Sequence, residues 1–355
     1  MVNINSVAEL FFEAGAIQNI SPITDGLINQ TYKVATDVET YILQSVNHEV
    51  FKDPVGISNN IEFLNATLEN SEYPYELLKH HKSNSGNLVE FHEGNYWRTF
   101  HFIKGTVTQN TVSSPKMAYM ASKAFAEFIL FNEKTDTTKI VPGIPSFMDF
   151  ESRITNFNNA LQFGNKDRIS SCSVEIDYLK GQIDHWNQFI VNANACPKRL
   201  IHADAKISNI LFDAKSLKPR CIIDLDTVMA GPIIYDFSDL LRSYCNTLRE
   251  DDTELGESQL ALPVLHQSIV GFVSTIKKIA TAEELEALKE SIPFITYIQT
   301  LRFLTDFLLN DIYYTTTYPL QNLDRTRNQL NLYKLFLKNH SAIEASFSKA
   351  LSMPI

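Results

Sequence analysis

Leu200-Ile-His202-Ala-Asp204-Ala-Lys206-Ile-Ser-Asn209-Ile-Leu-Phe-Asp213 is followed, across a turn containing Pro219, by Cys221-Ile-Ile-Asp224-Leu-Asp226. Two short apolar runs, Ile210–Phe212 and Cys221–Ile223, read as strands flanking that turn. Ahead of the first sits a loop carrying His, Asp, Lys and Asn at fixed offsets, and the second ends in a pair of carboxylates. The layout suits phosphoryl transfer. Asp204 is placed to accept the proton of an acceptor hydroxyl, Lys206 to stand near the moving phosphate, and Asn209 and Asp224 to hold Mg²⁺. Magnesium prefers oxygen ligands and usually takes only one or two carboxylates from protein, so Asn209 with Asp224 is chemically sufficient. Asp226 is either a further metal-shell carboxylate or a cap for Thr227–Gly231. The competing interpretation is a polar turn between two strands, with His202 and Asp204 as local turn formers.

A chain of 355 residues suits two domains or lobes rather than one ordinary core. With 44% hydrophobic and 20% charged residues it reads as a globular enzyme. A formal charge of -10 argues against nucleic acid or an anionic membrane as the main partner. The four cysteines, Cys172, Cys196, Cys221 and Cys245, form no C-x-x-C pair and read as reduced, mostly buried thiols. With Glu9 and Glu13 near the start and no basic-then-apolar opening, no signal peptide is expected. No apolar run approaches the ~20 residues of a membrane helix, so a cytoplasmic location is expected. Oligomeric state is not legible.

Val7–Ala14 reads as a short amphipathic helix, and Ile20–Asp25, Gln30–Ala35 and Thr40–Val46 as strands. Asp25-Gly26-Leu27-Ile28-Asn29 is a tight turn, either a plain hairpin or a loop that folds over nucleotide phosphates through its N–H groups. Val55–Glu69 is expected to be a helix burying Ile57, Ile61, Leu64 and Leu68, and Leu88–Glu93 with Tyr96–Ile103 a hairpin across Gly94-Asn95. Residues 1–103 therefore read as a five-stranded, β-rich lobe, with a hinge near Phe102–Gly105. Residues 104–355 read as a mainly helical lobe with helices at Pro115–Asn132, Ser171–Val191, Tyr235–Leu248, Gln259–Ala280, Ala282–Glu290, Ile292–Asn310 and Arg325–Lys338.

This arrangement, an α+β chain with a small antiparallel β-sheet lobe and a larger helical lobe, resembles the protein-kinase-like fold. The His-x-Asp-x-x-x-x-Asn form with Ile-Asp-x-Asp is similar to the aminoglycoside phosphotransferase and choline kinase branch. Several blocks more narrowly resemble the N-acetylhexosamine 1-kinases: Gly26-Leu-Ile-Asn29, Tyr41-Ile-Leu-Gln44, Trp97-Arg-Thr-Phe, Ile222-Ile-Asp-Leu-Asp-Thr-Val-Met, Tyr235-Asp-Phe-Ser-Asp239 and Leu301-Arg302-Phe-Leu-Thr-Asp306. The resemblance implies an ATP- and Mg²⁺-dependent kinase that phosphorylates the anomeric hydroxyl of an N-acetylhexosamine. Its implied base is Asp204, with Lys206 facing the γ-phosphate and Asn209 and Asp224 on the metal. It implies nucleotide contacts at Gly26, Asn29, Thr31 and Gln44, and places Arg302 and Tyr313 near the sugar, with Asp239 and Arg242 on a neighbouring helix. Asp239 and Arg242, three apart, read equally well as a structural ion pair. Arg302 lies in an apolar helix and needs a partner or a ligand, and Asp306 four residues on is a candidate partner. One departure matters: the strand position where protein kinases carry a phosphate-gripping Lys holds Gln44, which brings no charge. The alternatives are another small hydroxyl acceptor (aminoglycoside, choline-like amine or amino acid) and a nucleotide-binding pseudokinase.

Overall fold

The computed structural model describes residues 2–23, 28–257 and 259–354. The chain divides into two compact units that do not follow a single cut. The first gathers Met1–Thr108, Phe131–Pro145 and Asn209–Ala230; the second gathers Gln109–Leu130, Ser146–Ser208 and Gly231–Ile355.

In the first unit, strands Ile17–Ile23, Gln30–Thr36, Thr40–Val46 and Asn95–His101 lie antiparallel in that order. Val89–His92 pairs with Asn95–His101 as the expected hairpin. A sixth strand that the sequence does not announce, His80–His81, also pairs with Asn95–His101. Alternation sorts the side chains between faces. Val34, Tyr41, Leu43 and Trp97 pack against Val7, Ala8, Phe11 and Phe12. The first helix occupies only Ile4–Ala8, earlier than Val7–Ala14, because Asn3 caps it by accepting the Asn5 N–H. Phe11 and Phe12 still reach the core, from irregular backbone.

The other face carries Gln44, Val46 and Arg98 and meets the helix Pro54–Leu68 through Ile57 and Ser58. That helix starts where Asp53 caps the Gly56 N–H and Pro54 opens the first turn. Its buried stripe is Ile57, Ile61, Leu64 and Leu68 as the spacing predicts. Ile210–Asp213 and Pro219–Ile222 form the expected hairpin, extended to three strands by Thr106–Val107.

The second unit is helical. Pro115–Phe131, Ile234–Cys245, Ala282–Ser291 and Gln321–Lys338 fall close to their expected spans. Phe294–Leu308 packs on Gln321–Lys338, Phe150–Phe163 and Ile234–Cys245, and Leu262–Ile276 packs on His340–Ser352. Trp186, Phe294, Tyr297 and Tyr333 form a continuous aromatic centre. The long helix expected over Ser171–Val191 is two, Ser173–Lys180 and Ile183–Ala195, broken at Gly181-Gln182. No described helix is long and apolar enough to cross a membrane. All four cysteines are free; burial pushes the Cys172 thiol up to about 11, and Cys221 and Cys245 higher still.

Candidate active site

In the second unit, the strand Arg199–Ile201 leads into the loop that carries His202, Asp204 and Lys206. Lys206 Nζ lies 2.7 Å from Asp204 Oδ2, so the two residues expected to handle proton and phosphate form one ion pair. His202 is fully buried against Phe125, and its Nδ1 accepts the Asp204 N–H at 3.3 Å. Between them Ala203 adopts a left-handed backbone, φ +64°, which costs an L-residue roughly 1–2 kcal/mol. The loop is held there by Asp236. Its Oδ2 accepts the His202 N–H at 2.8 Å and its Oδ1 accepts the Ala203 N–H at 2.6 Å. Asp236 belongs to the helix Ile234–Cys245 and is completely buried. Burial raises its carboxyl to about 6, against the opposing pull of His202 and the two N–H bonds.

The same helix bears Asp239 and Arg242, which form the ion pair allowed by their spacing, Nε to Oδ1 at 2.8 Å. Glu250 lies 3.4 Å from Arg242. Burial acts to lower the Arg242 guanidinium, but Asp239, Glu250 and the more distant Asp204 outweigh it and hold it above its ordinary value.

Arg302, on Phe294–Leu308, stands over the rings of Tyr313 and Tyr314, 5.8 and 5.6 Å from their centroids, and donates to Gln299 Oε1. Asp306 is not its partner. That carboxylate accepts the N–H groups of Tyr313 and Tyr314 and the Asn322 side-chain amide, fixing the turn that carries both tyrosines. Tyr313 is 65% exposed. Arg153 is close enough that burial and then Arg302's charge lower its guanidinium. Its Nη2 donates to the Phe147 carbonyl while its Nε is buried with no partner among the described residues. Among the described residues neither arginine forms a salt bridge.

In the first unit, Asn209 and Asp224 come to the same end of one hairpin, because the Ile223 N–H donates to the Asn209 carbonyl and Ile222 pairs with Ile210. Asn209 is buried and Asp224 exposed, the latter in a left-handed conformation, φ +61°. Aspartate tolerates that region better than most residues, and such backbone gathers at functional positions. An amide oxygen and a carboxylate are hard donors that fit Mg²⁺. No cluster of three His, Cys, Asp or Glu ligands exists among the described residues.

Asp226 is 1% exposed, and its Oδ2 accepts from Arg98 Nη2 at 2.6 Å and Asn29 Nδ2 at 2.9 Å. Its Oδ1 is buried with no hydrogen-bond partner among the described residues. Gln44 Oε1 accepts twice from Arg98, and Gln44 Nε2 donates to Thr31. Asn29 Oδ1 accepts the Asn47 N–H. Three expected nucleotide residues, Asn29, Thr31 and Gln44, therefore share one network with Asp226. Gly26 lies outside the described residues. Gly143 completes the packing: a Cβ there would collide with the Asp226 carbonyl oxygen.

Arg98, Asp236 and Arg153 are not singled out as site residues by sequence. Asp236 carries a faint signal, a carboxylate inside an otherwise apolar helix start; Arg98 carries one as a cation within the strand Tyr-Trp-Arg-Thr-Phe.

Comparison with known proteins places the chain in a family. A model of the phosphotransferase enzyme family matches residues 19–261. A homoserine kinase of Zymomonas mobilis is 23% identical over 272 residues, covering 75% of this chain and 77% of that protein. A microcompartment-associated aminopropanol kinase superposes with a TM-score of 0.66 at 14% identity, covering 95% of this chain and 97% of the other. A spectinomycin phosphotransferase, solved with ADP and spectinomycin, gives 0.56 at 13% identity, covering 94% and 93%. The chain belongs to the phosphotransferase enzyme family and has its α+β, protein-kinase-like fold. It is a phosphotransferase of the small-molecule kinase class.

Proposed function

We propose that this protein transfers the γ-phosphoryl group of Mg-ATP to a hydroxyl of a small molecule, and that the acceptor is the anomeric hydroxyl of an N-acetylhexosamine. The observation that carries the reaction is the Asp204–Lys206 pair on a loop clamped by Asp236. Asp204 orients the acceptor hydroxyl and takes its proton as the new bond forms; Lys206 balances charge on the transferred group. Asn209 and Asp224 are the residues that would hold Mg²⁺, which when bound neutralises phosphate charge. Alignment rather than covalent chemistry supplies most of the acceleration in such a transfer.

For the acceptor, Arg302 above the exposed Tyr313 offers hydrogen-bond donors beside an aromatic face. This suits an acetamide carbonyl and a pyranose ring. The nearby cations Arg153 and Arg302 disfavour aminoglycosides and choline-like amines. A second reading has one specific support. Two arginines with no carboxylate partner among the described residues also fit an acceptor bearing its own carboxylate, such as the hydroxyl amino acid that names the homoserine kinase relative.

The deciding experiment is phosphorus NMR of purified protein with Mg-ATP and, separately, N-acetylglucosamine, N-acetylgalactosamine and homoserine, each beside Asp204→Asn. A sugar 1-phosphate that disappears in the variant supports the first reading. Phosphohomoserine alone replaces it with the second. ATP persisting with every hydroxyl acceptor tried would leave the pseudokinase.

A further inference from the structure

The strand Thr40–Val46 presents Gln44 where a charged side chain is expected, yet the nucleotide's phosphates are anionic. Resting on the kinase reading, we infer that Arg98, on the neighbouring strand, is the phosphate-binding cation of this site. Gln44 and Arg98 are directly opposite in the antiparallel register, so their side chains leave the same face of the sheet. The residue with the longer reach carries the charge, and the residue at the expected position has become its holder.

The holding is specific. Gln44 Oε1 accepts from Arg98 Nε at 3.0 Å and from Nη2 at 2.6 Å, which fixes one edge of the guanidinium. Nη2 also binds Asp226 Oδ2, a pair in which both side chains are at most 3% exposed. A guanidinium has five N–H donors, and these contacts use three. Among the described residues Nη1, which carries the remaining two, reaches only Ser58 Oγ, at 3.5 Å. Donor capacity is therefore left over on a rigid, charged group joined through Gln44 to Thr31 and through Asp226 to Asn29. Among the described residues, no other Lys or Arg takes part in this network.

A purely structural ion pair would use the same Asp226 contact, so the test must separate the two roles. Nucleotide affinity is measured by calorimetry with Mg-ATP, Mg-ADP and adenosine for the wild type, Arg98→Met, and the double variant Gln44→Lys/Arg98→Met. The double variant returns a cation to the strand Thr40–Val46. Loss of a charge-assisted contact to phosphate is expected to weaken ATP and ADP ~10- to 100-fold in Arg98→Met. Adenosine, which has no phosphate, keeps its affinity, and adding Gln44→Lys recovers most of the ATP affinity. ATP binding that is unchanged in a folded Arg98→Met, or that falls in parallel with adenosine, overturns the inference and leaves a structural pair. Should Arg98→Met fail to fold, the double variant decides: ATP affinity near wild type upholds the cation, and adenosine binding without ATP binding overturns it. A wild-type protein that binds no nucleotide would instead refute the kinase reading.

Discussion

Asp236 Oδ1 accepts the backbone N–H of Ala203 at 2.6 Å, and this bond holds a non-glycine residue at φ +64° beside Asp204. The strain and the clamp belong together. Left-handed backbone at alanine persists only when its surroundings compensate it, and a fully buried carboxylate accepting two adjacent N–H groups does so.

Asp236→Asn is therefore expected to damage both stability and catalysis. An amide presents one oxygen, so one of the two N–H groups is left buried without its acceptor, at a cost of ~1–3 kcal/mol. Misplacement of the loop on the ångström scale costs about 100-fold in kcat. The pH dependence separates this carboxyl from the rest. Its native pKa, about 6, lies above the ordinary aspartate value of 3.8. The folded state therefore holds the proton more tightly, and that contribution is complete below about pH 4 and is lost as pH rises through about 6. The melting-temperature advantage of wild type over Asp236→Asn is expected to be largest in acid, to shrink across that window, and to level off above it. A gap that widens with pH would contradict the assignment.

Gly143→Ala tests how tightly the Asp226 turn is held. The added methyl meets the Asp226 carbonyl oxygen and also lies 3.2 Å from Ile57 Cγ2, so the backbone of one segment must move. Overpacking of this kind costs ~1–3 kcal/mol, read as a lower denaturation midpoint at unchanged m-value. The loop is tied to the helix Pro54–Leu68 on its other side, where Asn60 exchanges two hydrogen bonds with Val141, so it has little room to yield.

Much of this architecture is legible where the signal is local. The hairpin after Asn209 and the buried stripe of Pro54–Leu68 follow from periodicity and turn residues. Phe150–Phe163 gives no such signal because it buries only Phe150, Phe157 and Ala160, too sparse a stripe to count. His340–Ser352 is equally quiet because Ser346 and Ala350 fill half of its buried face. In the site, the Asp, Lys and Asn spacing around residue 204 is a property of one loop and can be read directly. Arg98 cannot: its meaning depends on standing opposite Gln44 and reaching Asp226, 128 residues away in sequence. Asp306 illustrates the converse. Four residues from Arg302 on one helix, it is the natural partner by spacing, but the turn carrying Tyr313 and Tyr314 claims both of its oxygens.

Asn209→Ala and Asp224→Ala are expected to act on the metal requirement. Each removes one hard oxygen donor from the end of the hairpin, so the Mg²⁺ concentration for half-maximal rate should rise, ~10-fold or more per donor at the energy of one charge-assisted contact. Asp204→Asn is expected to behave differently, lowering kcat by ~10²–10⁴-fold while the Mg²⁺ dependence stays where it was. Equal shifts in Mg²⁺ requirement for all three variants would mean that base and metal roles are not divided between Asp204 and the hairpin residues.

Arg302→Met distinguishes an acceptor-binding arginine from a structural one. Among the described residues its side chain hydrogen-bonds Gln299 and pairs with no carboxylate, so the fold should lose little. The stem of Met can still cover Tyr314, which is partly buried. The acceptor, by contrast, loses a charged hydrogen-bond donor, and its KM is expected to rise ~10- to 100-fold with the KM for ATP unchanged. Arg153→Met sharpens the reading. Removing it relieves the repulsion that lowers one guanidinium beside the other, so a neutral sugar acceptor should tolerate the change with only a small rise in KM. An acceptor bearing a carboxylate would lose half of its counter-charge and suffer in both variants alike. The ratio of the two KM effects therefore reports the charge of the natural acceptor, independently of which compound is first found to be phosphorylated.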